Sequence, residues 1–208
     1  MTLTGLPQRP ALVHKVLLNH GSEKLSKTQR LTWSRFILAQ LFRVPASIDW
    51  LRSFGRQLLL EQFESMAKMA GQPQAMDVWS DPGHADTLDD EGLKVLNRAI
   101  ESAELNKLIL DGVWSIIESN CDVDAVLSDT PVSHIGQLME NSFVLVLPIS
   151  PTKIFVCAST VEDIDMLSRQ PAKNLMKAIN RQFAKQSSTH IFATNTSHRA
   201  LALKYLKC

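Results

Sequence analysis

The chain has 208 residues, 45% of them apolar and 21% charged, with a formal net charge of +1. That length buries roughly 70% of its unfolded surface without help from disulfides or metal. No apolar run approaches the ~18 residues of a membrane helix, and Met1–Arg9 lacks the basic start and apolar core of a secretory signal, so the expectation is a cytoplasmic protein without membrane contact.

Residues up to about Pro10 read as a terminus, followed by a short apolar helix from Ala11 to Asn19 on Leu12, Val16 and Leu17. Ser26 and Gln29 have the spacing of a capping box. Leu31, Phe36, Leu38, Leu41 and Phe42 follow in a helix that stops before Pro45. Ser47 can cap the next helix. Its apolar positions, from Ile48 and Leu51 to Met66 and Ala70, recur at helical steps until Gly71. Residues 71–86 read as an internal loop anchored by Trp79. Thr87 then caps a helical stretch to about Ser119, broken near Glu101–Glu104.

From Asp124 to Ser159 apolar and β-branched runs alternate with prolines, which predicts three strands. Glu162–Leu167 predicts a short helical turn, Ala172 to Gln186 an amphipathic helix, Ile191–Thr194 a fourth strand, and Ser197 the cap of a last helix. The expectation is a single α+β domain: a mainly helical part over 11–119 packed on a small, mainly antiparallel sheet over 120–208. Cys121, Cys157 and Cys208 are odd in number and far apart, which points to reduced thiols rather than a disulfide framework.

Net charge hides a pattern. Met1–Met76 carries 10 basic and 4 acidic residues, and Asp77–Asp124 carries 3 and 12. Ala125–Asp165 carries 1 and 5, and Met166–Cys208 carries 8 and none. Such blocks either face each other in the fold or leave a basic face for an anionic partner, nucleic acid included.

The candidate residues follow from this reading. Lys173, Lys177, Arg181 and Lys185 fall opposite Leu175, Met176, Ile179 and Phe183 at ~100° per residue. They form either a solvated helix face or, with Arg199, Lys204 and Lys207, a surface that tracks phosphates. No aromatic interleaves them, so base stacking is not indicated. Asp129 stands at a strand end before Thr130 and Pro131, where a carboxylate serves catalysis or closes a turn. With Asp122 and Asp124 it could also bind Mg²⁺. Gln40 and Arg43 share a helix face, and Arg43 suits a carboxylate or phosphate, or an acidic segment of the chain itself. The six histidines lack metal-ligand spacing, Cys157 reads as a core thiol, and no pattern specifies a cofactor.

Several segments together resemble one bacterial family, domain of unknown function 4238. They are Phe36-Ile37-Leu38-Ala39-Gln40-Leu41-Phe42-Arg43-Val44-Pro45, a tryptophan in a later helix (Trp114), Ser128-Asp129-Thr130-Pro131-Val132 and Pro148-Ile149-Ser150-Pro151. Asn180 and the strand Ile191-Phe192-Ala193 complete the pattern. Thr130 stands where the family signature has Asn. The family's usual opening segment, His-Tyr-x-Pro-Gln, has no equivalent, as expected of a shortened form or a fragment. The resemblance implies fold more than activity. The expected function is a soluble intracellular binding or regulatory protein that contacts an anionic partner. The alternative is a metal-dependent hydrolase of phosphate esters that uses Asp129.

Overall fold

The structure, a computed structural model, describes residues 9–71, 94, 96–137 and 142–206. Two compact units are formed, one from Met1–Leu41 with Ala103–Cys208, the other from Phe42–Ser102.

The first unit opens with α1 (Pro10–His20), a 3-10 turn at Ser22–Lys24 and α2 (Lys27–Phe42). Ser26 and Gln29 form the expected capping box: the Gln29 amide donates to Ser26 Oγ at 3.2 Å and the Ser26 amide to Gln29 Oε1 at 2.8 Å. The buried face of α2 is Trp33, Ser34, Ile37 and Leu38, whereas Leu31, Phe36, Leu41 and Phe42 are only half-buried. Trp33 decides that rotation by packing edge-on against Phe155, ring centroids 5.9 Å apart. In α1, Val13 and Leu17 are buried and the expected core residue Leu12 is exposed.

The main sheet has the order β1-β5-β4-β3, all antiparallel: β1 (Val113–Glu118), β3 (Ser133–Gln137), β4 (Ser142–Pro148) and β5 (Lys153–Ala158). The helix expected to run to Ser119 ends instead with α4 (Ala103–Asp111), and Trp114 lies on β1, not in a helix. Val113, Ile116 and Ile117 fit a helical spacing, but their branched side chains favour a strand. Pairing along six residues, from Val113↔Ala158 to Glu118↔Lys153, settles the choice. Gly112 makes the transition possible, since a Cβ there would stand 2.7 Å from Cys157 Sγ. A separate two-stranded ladder joins β2 (Leu127–Ser128) to β6 (Ile191–Phe192), so the expected fourth strand is shorter and outside the main sheet.

Strand β5 is buried on both sides. Ile154, Val156 and Ala158 pack with Ile164 of α5 (Val161–Ser168) and with Met176 and Phe183 of α6 (Ala172–Gln186). Phe155 meets Trp33 and Trp114 edge-on. The unit is therefore an antiparallel sheet with helices on each face, an α+β architecture. Thr160 caps α5 by accepting from the Asp163 amide. Asn195, rather than Ser197, caps the 3-10 turn Thr196–His198 that leads into α7 (Arg199–Tyr205).

In the second unit, α3 (Pro45–Met69) begins at Pro45 with Val44 as its N-cap, ahead of the expected cap at Ser47. Proline's fixed φ and missing N–H suit the first turn of a helix. After Ala70, Gly71 ends the helix with φ +68°. Ala67 is buried and Met66 is exposed, the reverse of the expected phase. Residues 72–86 of the loop predicted over 71–86, Trp79 among them, and the start of the helix expected from Thr87 lie outside the described residues.

Candidate functional site

Asp129 follows directly on β2, and its carboxylate faces the turn between α6 and β6. Oδ1 accepts from Ser187 Oγ at 3.0 Å and the Ser188 amide at 2.9 Å. Oδ2 accepts from the Thr189 amide at 2.7 Å, Thr189 Oγ1 at 2.8 Å and the His190 amide at 3.2 Å. Burial alone would raise this carboxyl's pKa; donors on Thr189, Ser188 and Ser187 outweigh it and hold the group well below the usual range. Such a carboxylate is a fixed anion with its oxygens occupied. The geometry supports the turn-closing role of Asp129 and offers nothing toward proton transfer.

The rest of that segment is also tied down. Thr130 Oγ1 donates to Gln186 O at 3.0 Å at the end of α6, and Gln186 Nε2 donates back to Thr130 O at 2.6 Å. Asn180 bridges the same helix to the chain before β2, accepting from the Val126 amide at 2.9 Å and donating to Asp124 O at 2.8 Å.

The other two aspartates have partners of their own. Asp122 pairs with Lys173 at 2.8 Å, while Asp124 accepts from Thr194 Oγ1 and Asn195 Nδ2. Among the described residues no three His, Cys, Asp or Glu side chains are grouped to hold a metal ion.

Helix α6 presents Lys173, Lys177, Arg181 and Lys185 on its exposed face, opposite buried Leu175, Met176 and Phe183. The first three line a cleft of about 490 Å³ with Asp122, Asn180, Ser197 and His198. Lys185 does not line it. The Lys173–Asp122 contact lowers the Asp122 carboxyl and raises the Lys173 ammonium, each through their hydrogen bond first. Among the described residues neither Lys177 nor Arg181 makes an ion pair. His198 Nε2 is buried and has no hydrogen-bond partner among the described residues. Arg199 and Lys204 are exposed on α7 but do not line the cleft, and Lys207 lies outside the described residues.

A second cleft, of about 420 Å³, lies elsewhere in the unit. Phe36 and Gln40 reach it from α2, Pro131 from the segment after β2, Pro148 from the end of β4 and Ile149 from the turn that follows. His14 of α1 and Trp33 of α2 complete its wall. His14 Nε2 donates to Ile149 O at 2.7 Å, and Lys153 Nζ donates to Leu18 O at 2.9 Å, which fastens α1 to the hairpin. Ser150 Oγ closes the hairpin by accepting from the amides of Thr152 and Lys153. A shallower cleft of about 320 Å³ shares Leu127, Pro148 and Ile149 with it and adds Phe192 and Ala193. Segments that carry the family resemblance, far apart in the chain, thus meet around one region.

Of the residues expected to form sites, Lys173, Lys177 and Arg181 stand together. Gln40 belongs to the second cleft and Asp129 to a turn. Arg43 is exposed in the other unit. Sequence reasoning missed His14, Trp33 and His198. Histidines at scattered positions carry no pattern, and Trp33 looked like one more apolar helix residue.

No curated protein and no solved structure matches the chain. A family model does, over residues 8–197. The chain belongs to that family, described as protein of unknown function DUF4238.

Proposed function

We propose that this chain is a soluble intracellular binding protein that takes an anionic ligand of the phosphate class in the α6 cleft. The carrying observation is the cleft's charge. Lys173, Lys177 and Arg181 line it, and among the described residues the one acid there is Asp122, which is hydrogen-bonded to Lys173 and also feels the charge of Lys177. Two cations without an ion pair in a concave, polar setting favour an anion that accepts several charge-assisted hydrogen bonds. Arg181 suits a phosphate's paired oxygens and Lys177 adds a point charge. His198 also lines the cleft. Cys121 and Cys157 as free thiols agree with a reducing compartment.

Retention on immobilised heparin tests this reading. The unmodified chain is expected to bind at low salt, and Lys177→Ala/Arg181→Ala to flow through. Lys185→Ala removes the same charge from the same helix outside the cleft and is expected to be retained. Flow-through of the unmodified chain contradicts the proposal, and so does equal loss in Lys185→Ala.

A further inference from the structure

We propose that the cleft between α1, α2 and the β4–β5 turn binds a planar, uncharged heteroaromatic ring that carries both a hydrogen-bond donor and an acceptor. The site is separate from the α6 cleft, and the inference does not rest on the anion reading. Its wall is built from flat groups. Trp33 stacks with Phe36 at 4.8 Å between centroids and 28° between planes, and with His14 at 6.2 Å and 5°. Pro131 and Pro148 add rigid apolar surface. A planar ring fills such a space with little loss of conformational freedom and gains stacking on the aromatic faces.

Polar atoms specify more than grease. Trp33 is 2% exposed and its indole Nε1–H has no hydrogen-bond partner among the described residues. Trp33 lines the cleft, and a buried donor without an acceptor is an uncompensated cost. His14 supplies the complementary group. The Ile149 carbonyl can only accept, so Nε2 carries the proton in the bond between them. That leaves Nδ1, which makes no other hydrogen bond among the described residues, for a polar group of the ligand. Gln40 lines the same cleft, and its amide makes no hydrogen bond among the described residues, leaving one group that both donates and accepts. No Lys, Arg, Asp or Glu lines the cleft among the described residues, which disfavours an ion there.

The test uses the full chain with ¹⁵N-labelled tryptophan, adenine as probe and benzene as the flat ring without polar atoms. The Trp33 indole resonance is the one absent from Trp33→Phe. Adenine is expected to shift it saturably and to bind at least roughly tenfold tighter than benzene, the margin of about one or two satisfied buried groups. Gln40→Leu, at a half-buried position, is expected to weaken adenine by roughly fivefold or more and to leave benzene unchanged. Where Trp33→Phe does not fold, calorimetry of adenine on Gln40→Leu gives the same comparison. An unmoved Trp33 resonance overturns the proposal. Equal affinity for the two probes, or an unchanged Gln40→Leu, reduces the site to an apolar crevice and overturns it as well. Lys177→Ala/Arg181→Ala is expected to keep adenine binding, so failure of the anion reading leaves this result standing.

Discussion

Asn180 accepts the backbone N–H of Val126 at 2.9 Å across 54 residues of sequence. Val126 is fully buried and Asn180 is 2% exposed. No solvent is at hand to replace the bond. The other end of the same amide donates to Asp124 O. One side chain on α6 therefore fixes the chain that enters β2.

Replacing Asn180 with Leu keeps the volume and removes both bonds. A buried amide is then left unpaired, and the cost is about 2–4 kcal/mol. Urea unfolding is expected to show a lower midpoint with an unchanged slope. A loss under roughly 0.5 kcal/mol, the usual size of a surface substitution, contradicts the bridging role.

Asp129 makes stability depend on pH. Its carboxyl lies below the ordinary range when folded, because donors from Thr189, Ser188 and Ser187 outweigh the opposing effect of burial. A group whose folded value is depressed adds stability above its unfolded value of about 3.9 and loses it as pH falls through the folded one. Stability is thus expected to decline below about pH 4 in part through this residue. Asp129→Asn is expected to cost about 2 kcal/mol at neutral pH and to flatten the acid limb. A variant with the same acid limb as the parent excludes the assignment.

Gly136 sits on β3 with φ +80°, and a Cβ there would meet Ser142 O at 2.1 Å. Both the backbone conformation and the space require glycine. Gly136→Ala is expected to cost roughly 1–3 kcal/mol. Hydrogen exchange is expected to quicken at Phe143 and Val144, its neighbours on β4. Unchanged exchange there would speak against the strand pairing.

Cys157 is fully buried on β5. Burial pushes its thiol up to about 12, with the Arg30 guanidinium pulling weakly the other way. A thiol held protonated is a poor nucleophile. Cys157 is expected to react with a disulfide reagent only after denaturant is added, as a mass spectrum of labelled peptides can read. Labelling in the native state contradicts the core position.

Much of this was legible in the residues themselves. The lysine stripe on α6 and its apolar reverse follow from period alone, because a 15-residue helix repeats its pattern four times. Ser26 and Gln29 announce their own cap. What could not be read depends on partners distant in sequence. Val113, Ile116 and Ile117 satisfy a helical and a strand spacing alike, and only the register with β5 separates them. The rotation of α2 turns on Trp33 meeting Phe155, a contact no local pattern encodes. Asp129 shows its turn role through amides beyond residue 186, and His14 gains meaning only beside Trp33 and Gln40.

The most direct test is calorimetric titration of the chain with inorganic tripolyphosphate at low ionic strength. The account predicts saturable one-to-one binding, weakened roughly tenfold or more by Lys177→Ala/Arg181→Ala, weakened by added salt and unaltered by Lys185→Ala. Absence of saturable heat, or the same loss on removing Lys185, contradicts it.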